Sequence, residues 1–100
     1  MSWEKLANAV FRCALEDVNL VGRYVKDCGS ARAAADARAF LVLGGKWERV
    51  RELWLSMASE AVSAEAERAR AALLDGTFAP SEAAQSKAFR RRRGRKARSG

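Results

Sequence analysis

Apolar residues recur at three- and four-residue steps along the first quarter of the chain. The series runs from Trp3 to Cys28. Gly22 lies within it, and the apolar spacing continues on both sides of this glycine. Residues three and four apart share one face of a helix, so this spacing is typical of an amphipathic helix. Ser2 is a suitable N-cap and Gly29 a suitable stop. The pattern therefore predicts one long first helix that tolerates Gly22.

Three further helices are predicted from the residues that separate the next apolar segments. Ser30 is a suitable N-cap for an alanine-rich second helix, which Gly44 and Gly45 end. A third helix follows the two glycines, and we expect a kink or break near Ser59. A fourth helix then ends at the dipeptide that contains Gly76. No stretch alternates long enough to predict a strand.

These elements predict an all-α fold, a small bundle of three to four helices with a basic C-terminal arm. The chain has 100 residues, which is one domain at most, and 21 of its 49 hydrophobic residues are alanine. The large aromatic side chains of Trp3, Trp47 and Trp54 are therefore expected to anchor the core. Because the core is small, a homodimer that buries more surface is a further possibility.

Charge divides the chain into two unequal parts. Residues 1–85 hold eleven of the Lys and Arg residues against all twelve acidic ones, while the last fifteen residues hold eight Lys and Arg and no acid. Pro80, Ser81 and Glu82 suit the first turn of a last helix. From Arg90 onward, mutual repulsion predicts a segment that is mobile until it binds. The predicted division is a helical domain over 1–76, a linker with the start of the last helix over 77–85, and a basic tail over 86–100.

The basic tail predicts binding to nucleic acid. A dense run of arginine matches closely spaced phosphates and releases condensed counterions, and arginine also suits guanine edges. Arg93, Gly94 and Arg95 resemble the centre of an AT-hook, although Lys96 stands where that module has proline, and the segment also resembles arginine-rich RNA-binding segments. Docking on an acidic protein surface stays open. The candidate contacts are Lys87, Arg90, Arg91, Arg92, Arg93, Arg95, Lys96 and Arg98.

A second, lower-ranked contact region lies after the two glycines. Leu43, Gly44, Val50 and Leu53 fall at offsets of a helix-turn-helix, although bulky Phe40 stands where that motif needs a small residue. Its contacts to nucleic acid or to a partner would be Lys46, Arg49 and Arg51, which otherwise form the outward face of a bundle helix.

The pair formed by Trp47 and Trp54 also allows two interpretations. Aromatic rings at this spacing are able to stack on bases, but a role in the core is favoured because apolar Val50 and Met57 lie on the same stripe.

Composition argues against catalysis and metal binding. The chain has no histidine and only two cysteines, so no histidine-dependent triad and no ordinary zinc site is expected. We therefore predict a protein that is not an enzyme and needs no cofactor or metal. No apolar run approaches the length of a membrane span, and two free thiols without a secretory signal predict a cytoplasmic protein.

One family resemblance covers residues 31–76. The segments DARAFL from Asp36, GGKWERVR from Gly44 and EAERAR from Glu65 resemble small helical proteins encoded by phages and prophage-like elements of high-GC bacteria. The resemblance implies a role in transcription or DNA handling. Together with the basic tail, it predicts a nucleic-acid-binding regulator that binds DNA in preference to RNA. The alternative is a protein-interaction module that acts on RNA polymerase, for example in antitermination, or inhibits a host complex.

Overall fold

Five α-helices make up the part of the chain that the structure describes. The computed structural model describes the backbone of residues 2–99 and the side chains of residues 2–93. The helices are α1 (Trp3–Asp17), α2 (Cys28–Val42), α3 (Lys46–Met57), α4 (Glu60–Asp75) and α5 (Glu82–Ser99), with a short 3-10 turn at Gly22–Tyr24, and no strand occurs among them. The all-α class is confirmed, with one helix more than the three to four predicted. Helix α1 is central, since it packs against each of the other four.

The prediction of a single helix from Trp3 to Cys28 is wrong. Helix α1 ends at Asp17, and the chain turns before α2 begins at Cys28. Gly22 has a φ of +66°, which is a left-handed conformation that disfavours helix and suits glycine. Asp27 and Ser30 then form a reciprocal capping box, in which Asp27 is the N-cap and Ser30 is its third-position partner. Local polar signals therefore end α1 although the apolar spacing continues.

The other helix boundaries lie close to the predicted ones. The hydroxyl oxygens of Ser2 and Ser59 accept hydrogen bonds from backbone N–H groups in the first turns of α1 and α4. Gly76 ends α4 with a φ of +80°. The glycine pair separates α2 from α3, and Gly45 also has a positive φ.

The core lies where α1, α2 and α4 meet. Its buried members are Phe11, Ala14, Val18, Ala37, Leu41, Val62 and Ala66. The rings of Phe11 and Phe40 lie with their centroids 5.3 Å apart in a tilted arrangement. The expectation that three tryptophans anchor the core is wrong for two of them. Trp3 is 69% exposed and Trp47 is 46% exposed, while Trp54 is half-buried at the edge of the core.

Helix α3 is rotated relative to its predicted orientation. Its apolar stripe of Trp47, Val50, Trp54 and Met57 was expected to face inward. Trp47 is 46% exposed and Val50 is 41% exposed, and Trp54 and Met57 are only half-buried, whereas Arg51 is 4% exposed. The Arg51 guanidinium reaches the end of α2, and this contact places the arginine between α3 and the rest of the molecule. Leu55 is half-buried on the same side.

The described backbone does not support a mobile basic arm. Helix α5 begins at Glu82, close to the predicted position, and continues without a break to Ser99. Its first half packs against α1, with Gln85 and Ala88 buried. Tertiary contact and counter-charge from α1 offset the repulsion between neighbouring arginines, which the prediction treated as if the segment were isolated.

Candidate nucleic-acid interface

Asn19 fixes the start of α5 against the end of α1. Its side-chain amide donates to the carbonyl oxygen of Leu15 at 2.6 Å and of Glu16 at 3.3 Å, which caps α1. Its carbonyl oxygen accepts from the backbone N–H of Ser81, the residue before α5, at 2.8 Å. Asn19 is 5% exposed, so these bonds are shielded from water. One buried side chain thus joins the two helix ends.

Two further contacts hold the first turns of α5. The buried side chain of Gln85 donates to the carbonyl oxygen of Val21 at 3.4 Å. Arg23 forms an exposed ion pair with Glu82, the first residue of α5. The direction of the helix is therefore set before its basic residues begin.

Arg91 folds back onto α1. Its two terminal nitrogens donate separately to the carboxylates of Glu16 and Asp17, and the three side chains are 20–28% exposed. Arg91 is therefore neutralised by acids of the same chain. The prediction that Arg91 is available to a ligand is wrong for this conformation.

The remaining described cations of α5 divide by exposure. Lys87, Arg90 and Arg93 are exposed, and they follow one another at three-residue steps. The Arg93 guanidinium lies over the Phe89 ring, 5.2 Å from its centroid, which restrains its direction. Arg92 is half-buried, and one of its terminal nitrogens lies 2.7 Å from the point that a Cβ on Gly29 would occupy. A larger residue than glycine would displace that guanidinium.

The three exposed cations form a row on the outward side of α5. With a rise of ~1.5 Å per residue, the row from Lys87 to Arg93 extends over about 9 Å. That length corresponds to about three phosphates of one strand along a DNA axis, at ~3.4 Å each. We call Lys87, Arg90 and Arg93 the basic row. The side chains of Arg95, Lys96 and Arg98 lie outside the described residues, although the backbone there is helical.

The groove beside α5 has no preference for one sign of charge. It measures about 500 Å³ and lies between α1, α2 and the described part of α5. Asp17 and Asp36 line it together with Arg32 and Arg92. Because acids and bases balance there, the groove is a poor phosphate pocket, and the basic row is the better candidate for a polyanion.

The contact region predicted on α3 is only partly available. Lys46 and Arg49 are exposed, as the hypothesis requires. Arg51 is not, because one of its terminal nitrogens donates to the carbonyl oxygens of Phe40 at 3.0 Å and Leu43 at 2.8 Å. The prediction that Arg51 contacts a partner is therefore wrong.

Burial also explains the electrostatic state of Arg51. Loss of water lowers the pKa of its guanidinium, and the nearby charge of Arg70 lowers it further, while Glu48 and Glu52 act in the opposite direction. The group still remains charged at neutral pH because the ordinary arginine pKa is so high.

The helix-turn-helix interpretation is not supported by the packing of α3. In that motif the apolar positions of the second helix pack against the first helix. Here the equivalent residues, Val50 and Leu53, face solvent. Of the tryptophan pair, Trp47 is accessible and Trp54 is half-buried, and stacking on bases stays a prediction.

Sequence reasoning missed the residues that place α5. Asn19 follows a helix end and precedes Gly22, so its capping role was detectable from the local sequence. The pairing of Arg91 with Glu16 and Asp17 was not, because 74 and 75 residues separate the partners along the chain.

The described residues form no metal site and no membrane span. Among the described residues, no group of three metal-ligating side chains lies close enough to hold an ion. Cys13 is half-buried and Cys28 is exposed, and both are free thiols. None of the described helical stretches combines the length and the apolar character needed to cross a bilayer.

The chain matches no protein-family model, no curated protein and no solved structure. The resemblance of residues 31–76 to phage-encoded proteins therefore stays a prediction.

Proposed function

We propose that this protein is a nucleic-acid-binding regulator that uses α5 to contact phosphates. The observation that carries the proposal is the separation of charge. The last fifteen residues hold eight cations and no acid, while the preceding 85 are close to neutral. In the described part of this segment, the basic row of Lys87, Arg90 and Arg93 is exposed on one helix. Phosphate contacts of this kind supply most of the affinity for nucleic acid and little sequence preference.

The helical form of the segment changes the expected mechanism. A mobile arm would lose conformational entropy on binding, whereas a helix already docked on α1 loses less. The number of available contacts is smaller, because Arg91 is engaged by Glu16 and Asp17. If the other seven cations each met a phosphate of duplex DNA, the logarithm of affinity would fall against the logarithm of salt with a slope of about −6.

DNA is the favoured polyanion, and transcription the favoured process. The major groove of B-DNA is ~12 Å wide and admits an α-helix, whereas the major groove of duplex RNA is deep and narrow. An exposed basic row on a docked helix suits the wider groove. The role in transcription follows from the resemblance described above and belongs to the proposal.

The test compares two pairs of substitutions that change net charge equally. Arg90→Gln with Arg93→Gln removes two members of the basic row, and Arg38→Gln with Arg68→Gln removes two exposed cations from α2 and α4. Fluorescence anisotropy with a mixed-sequence DNA duplex, a duplex RNA and a single-stranded RNA would measure affinity across several salt concentrations. The first pair is expected to weaken DNA binding and flatten the salt slope by about 2. The second pair is expected to behave like the unaltered protein.

Equal losses in both pairs would show that only total charge matters, and unchanged binding in the first pair would remove α5 from the interface. The alternative function is a protein-interaction module that docks the same cations on an acidic surface such as one on RNA polymerase. Capture of partners from the native host, with and without nuclease, separates the two. A partner that survives nuclease treatment, together with no affinity of the purified protein for nucleic acid, would favour the alternative.

A further inference from the structure

Helix α3 presents apolar side chains to solvent on the side opposite its own packing contacts. At 3.6 residues per turn, Lys46, Val50, Leu53 and Met57 fall on one strip. Val50 and Leu53 are 41% and 60% exposed, Lys46 is exposed, and Met57 at the end of the strip is half-buried. Arg51 lies on the other side of the helix, where it bonds the end of α2. We call the strip of Lys46, Val50, Leu53 and Met57 the outer face of α3.

The core of a single copy leaves large apolar side chains unburied. Among the described residues, ten apolar side chains are buried and five of these are alanine. Larger side chains, including Trp47 beside the outer face, remain exposed. A small chain with a small core gains stability from association, and the partner that is always present is a second copy.

We propose that the outer face of α3 is a homodimer contact in which two copies of α3 pack antiparallel across a two-fold axis. Charge favours the second copy and sets the direction. Lys46 and Arg49 are exposed in the first turns of α3, whereas its last turn holds no basic residue. An antiparallel pair places these cations beside the carbonyl end of the partner helix, which carries partial negative charge. A parallel pair would instead set each cation beside its own copy.

The spacing of the strip also fixes a register. An axis between Val50 and Leu53 brings Val50 of each copy onto Leu53 of the other, so the two central contacts are the same by symmetry. In that register the aliphatic stem of Lys46 lies against the partner's Met57, and its ammonium reaches solvent at the rim.

The size of the contact predicts a reversible dimer. Helix α3 has twelve residues, so the strip is ~18 Å long. A few exposed side chains provide a patch of a few hundred Å², below the ~800 Å² per partner of a standard stable interface. The dimer is therefore expected to dissociate on dilution through the micromolar range.

The test measures mass against concentration by light scattering and sedimentation equilibrium. The full chain is treated with nuclease and kept in high salt, so that nucleic acid does not bridge two copies. Leu53→Glu places a charge in the centre of the contact, and Leu74→Glu is the matched control because Leu74 is 58% exposed on α4. Leu53→Glu is expected to weaken association at least about tenfold, whereas Leu74→Glu dimerises like the unaltered chain. Circular dichroism of both variants tests whether they are folded.

Three results would overturn the proposal. In the first, the unaltered chain stays at the mass of one copy up to millimolar concentration. In the second, both glutamate variants weaken the dimer equally. In the third, the chain stays monomeric and Leu53→Glu instead lowers affinity for single-stranded RNA, which would assign the face to nucleic acid. The variant with Arg90→Gln and Arg93→Gln is expected to dimerise normally. Failure of the dimer and failure of the proposed nucleic-acid contact are therefore separate results.

Discussion

Arg51 acts as a cap for a helix to which it does not belong. The last carbonyl groups of α2 have no partner within the helix, and Arg51 supplies hydrogen bonds to Phe40 and Leu43 from α3. A charged donor to a shielded carbonyl group contributes more than a neutral one. Arg51 lies on the side of α3 where Trp54 and Leu55 pack against the core.

Replacing Arg51 by methionine is expected to lower the free energy of unfolding by about 2–3 kcal/mol. The carbonyl oxygens of Phe40 and Leu43 would lose their charged donor in a part-buried site. Urea denaturation followed by circular dichroism measures the change. Arg49→Met is the control, because Arg49 is exposed two residues earlier and should change stability by less than about 0.5 kcal/mol. Equal effects would contradict the capping role.

Asp75 and Thr77 give a pH-dependent contact at the end of α4. The Thr77 hydroxyl and backbone N–H donate to one Asp75 oxygen at 2.6 Å and 3.0 Å. These bonds lower the pKa of the Asp75 carboxyl below 3.8, the hydroxyl being the larger cause, and slight burial opposes them. A lowered pKa means stability that is present above the unfolded value and lost as pH falls through the folded value.

Thr77→Val is therefore expected to raise the pKa of Asp75 toward 3.8 without reaching it, because the backbone bond remains. The stability difference from the unaltered chain should be full at neutral pH and vanish once acid protonates Asp75 in both. Carboxyl-carbon NMR measures the titration, and Thr77→Ser, which keeps the hydroxyl, is the control. An unchanged titration midpoint in the valine variant would refute the assignment.

At the scale of elements, local signals predicted where most helices begin and end. Ser2, Ser59 and Gly76 act through neighbours three or four residues away, so the sequence contains the whole interaction. The signals that separate α1 from α2, at Gly22 and Asp27, are also local. The apolar spacing that continues to Cys28 nevertheless predicted one longer helix. Arg51 of α3 bonds residues 8 and 11 positions away, and Arg91 of α5 bonds residues 74 and 75 positions away. No helical periodicity reports such contacts.

The junction between α1 and α5 is expected to depend on Asn19. Asn19→Ala removes the cap of α1 and leaves the N–H of Ser81 without its acceptor. We expect a loss of about 2 kcal/mol in the free energy of unfolding. Hydrogen exchange should show faster opening in the first turns of α5.

Ser81→Ala provides the comparison, because it keeps the backbone N–H and removes only the hydroxyl that caps α5 through Ala84. Its expected cost is about 0.5–1 kcal/mol. A loss in the Asn19 variant no greater than in the Ser81 variant would show that the buried bridge contributes little.

For the whole molecule, one set of acids serves both folding and electrostatics. Glu16 and Asp17 hold Arg91 on α1 and so take one cation from the segment proposed to bind nucleic acid. The composition predicted the overall separation of charge. It did not predict this internal neutralisation, because Arg91 lies 74 and 75 residues from Asp17 and Glu16 along the chain and meets them only through the packing of α5 on α1. Stability and polyanion affinity are therefore expected to oppose each other at this contact.

The double substitution Glu16→Gln with Asp17→Asn tests that opposition. Neutral amides hold Arg91 less strongly, so stability should fall by about 1–2 kcal/mol, as for a partly buried ion pair. Release of Arg91 should strengthen DNA binding and steepen the salt slope by about 1. Glu60→Gln with Glu67→Gln changes net charge equally at exposed positions on α4 and is expected to leave the slope unchanged. If both pairs steepen the slope alike, the gain comes from total charge and Arg91 has no separate role.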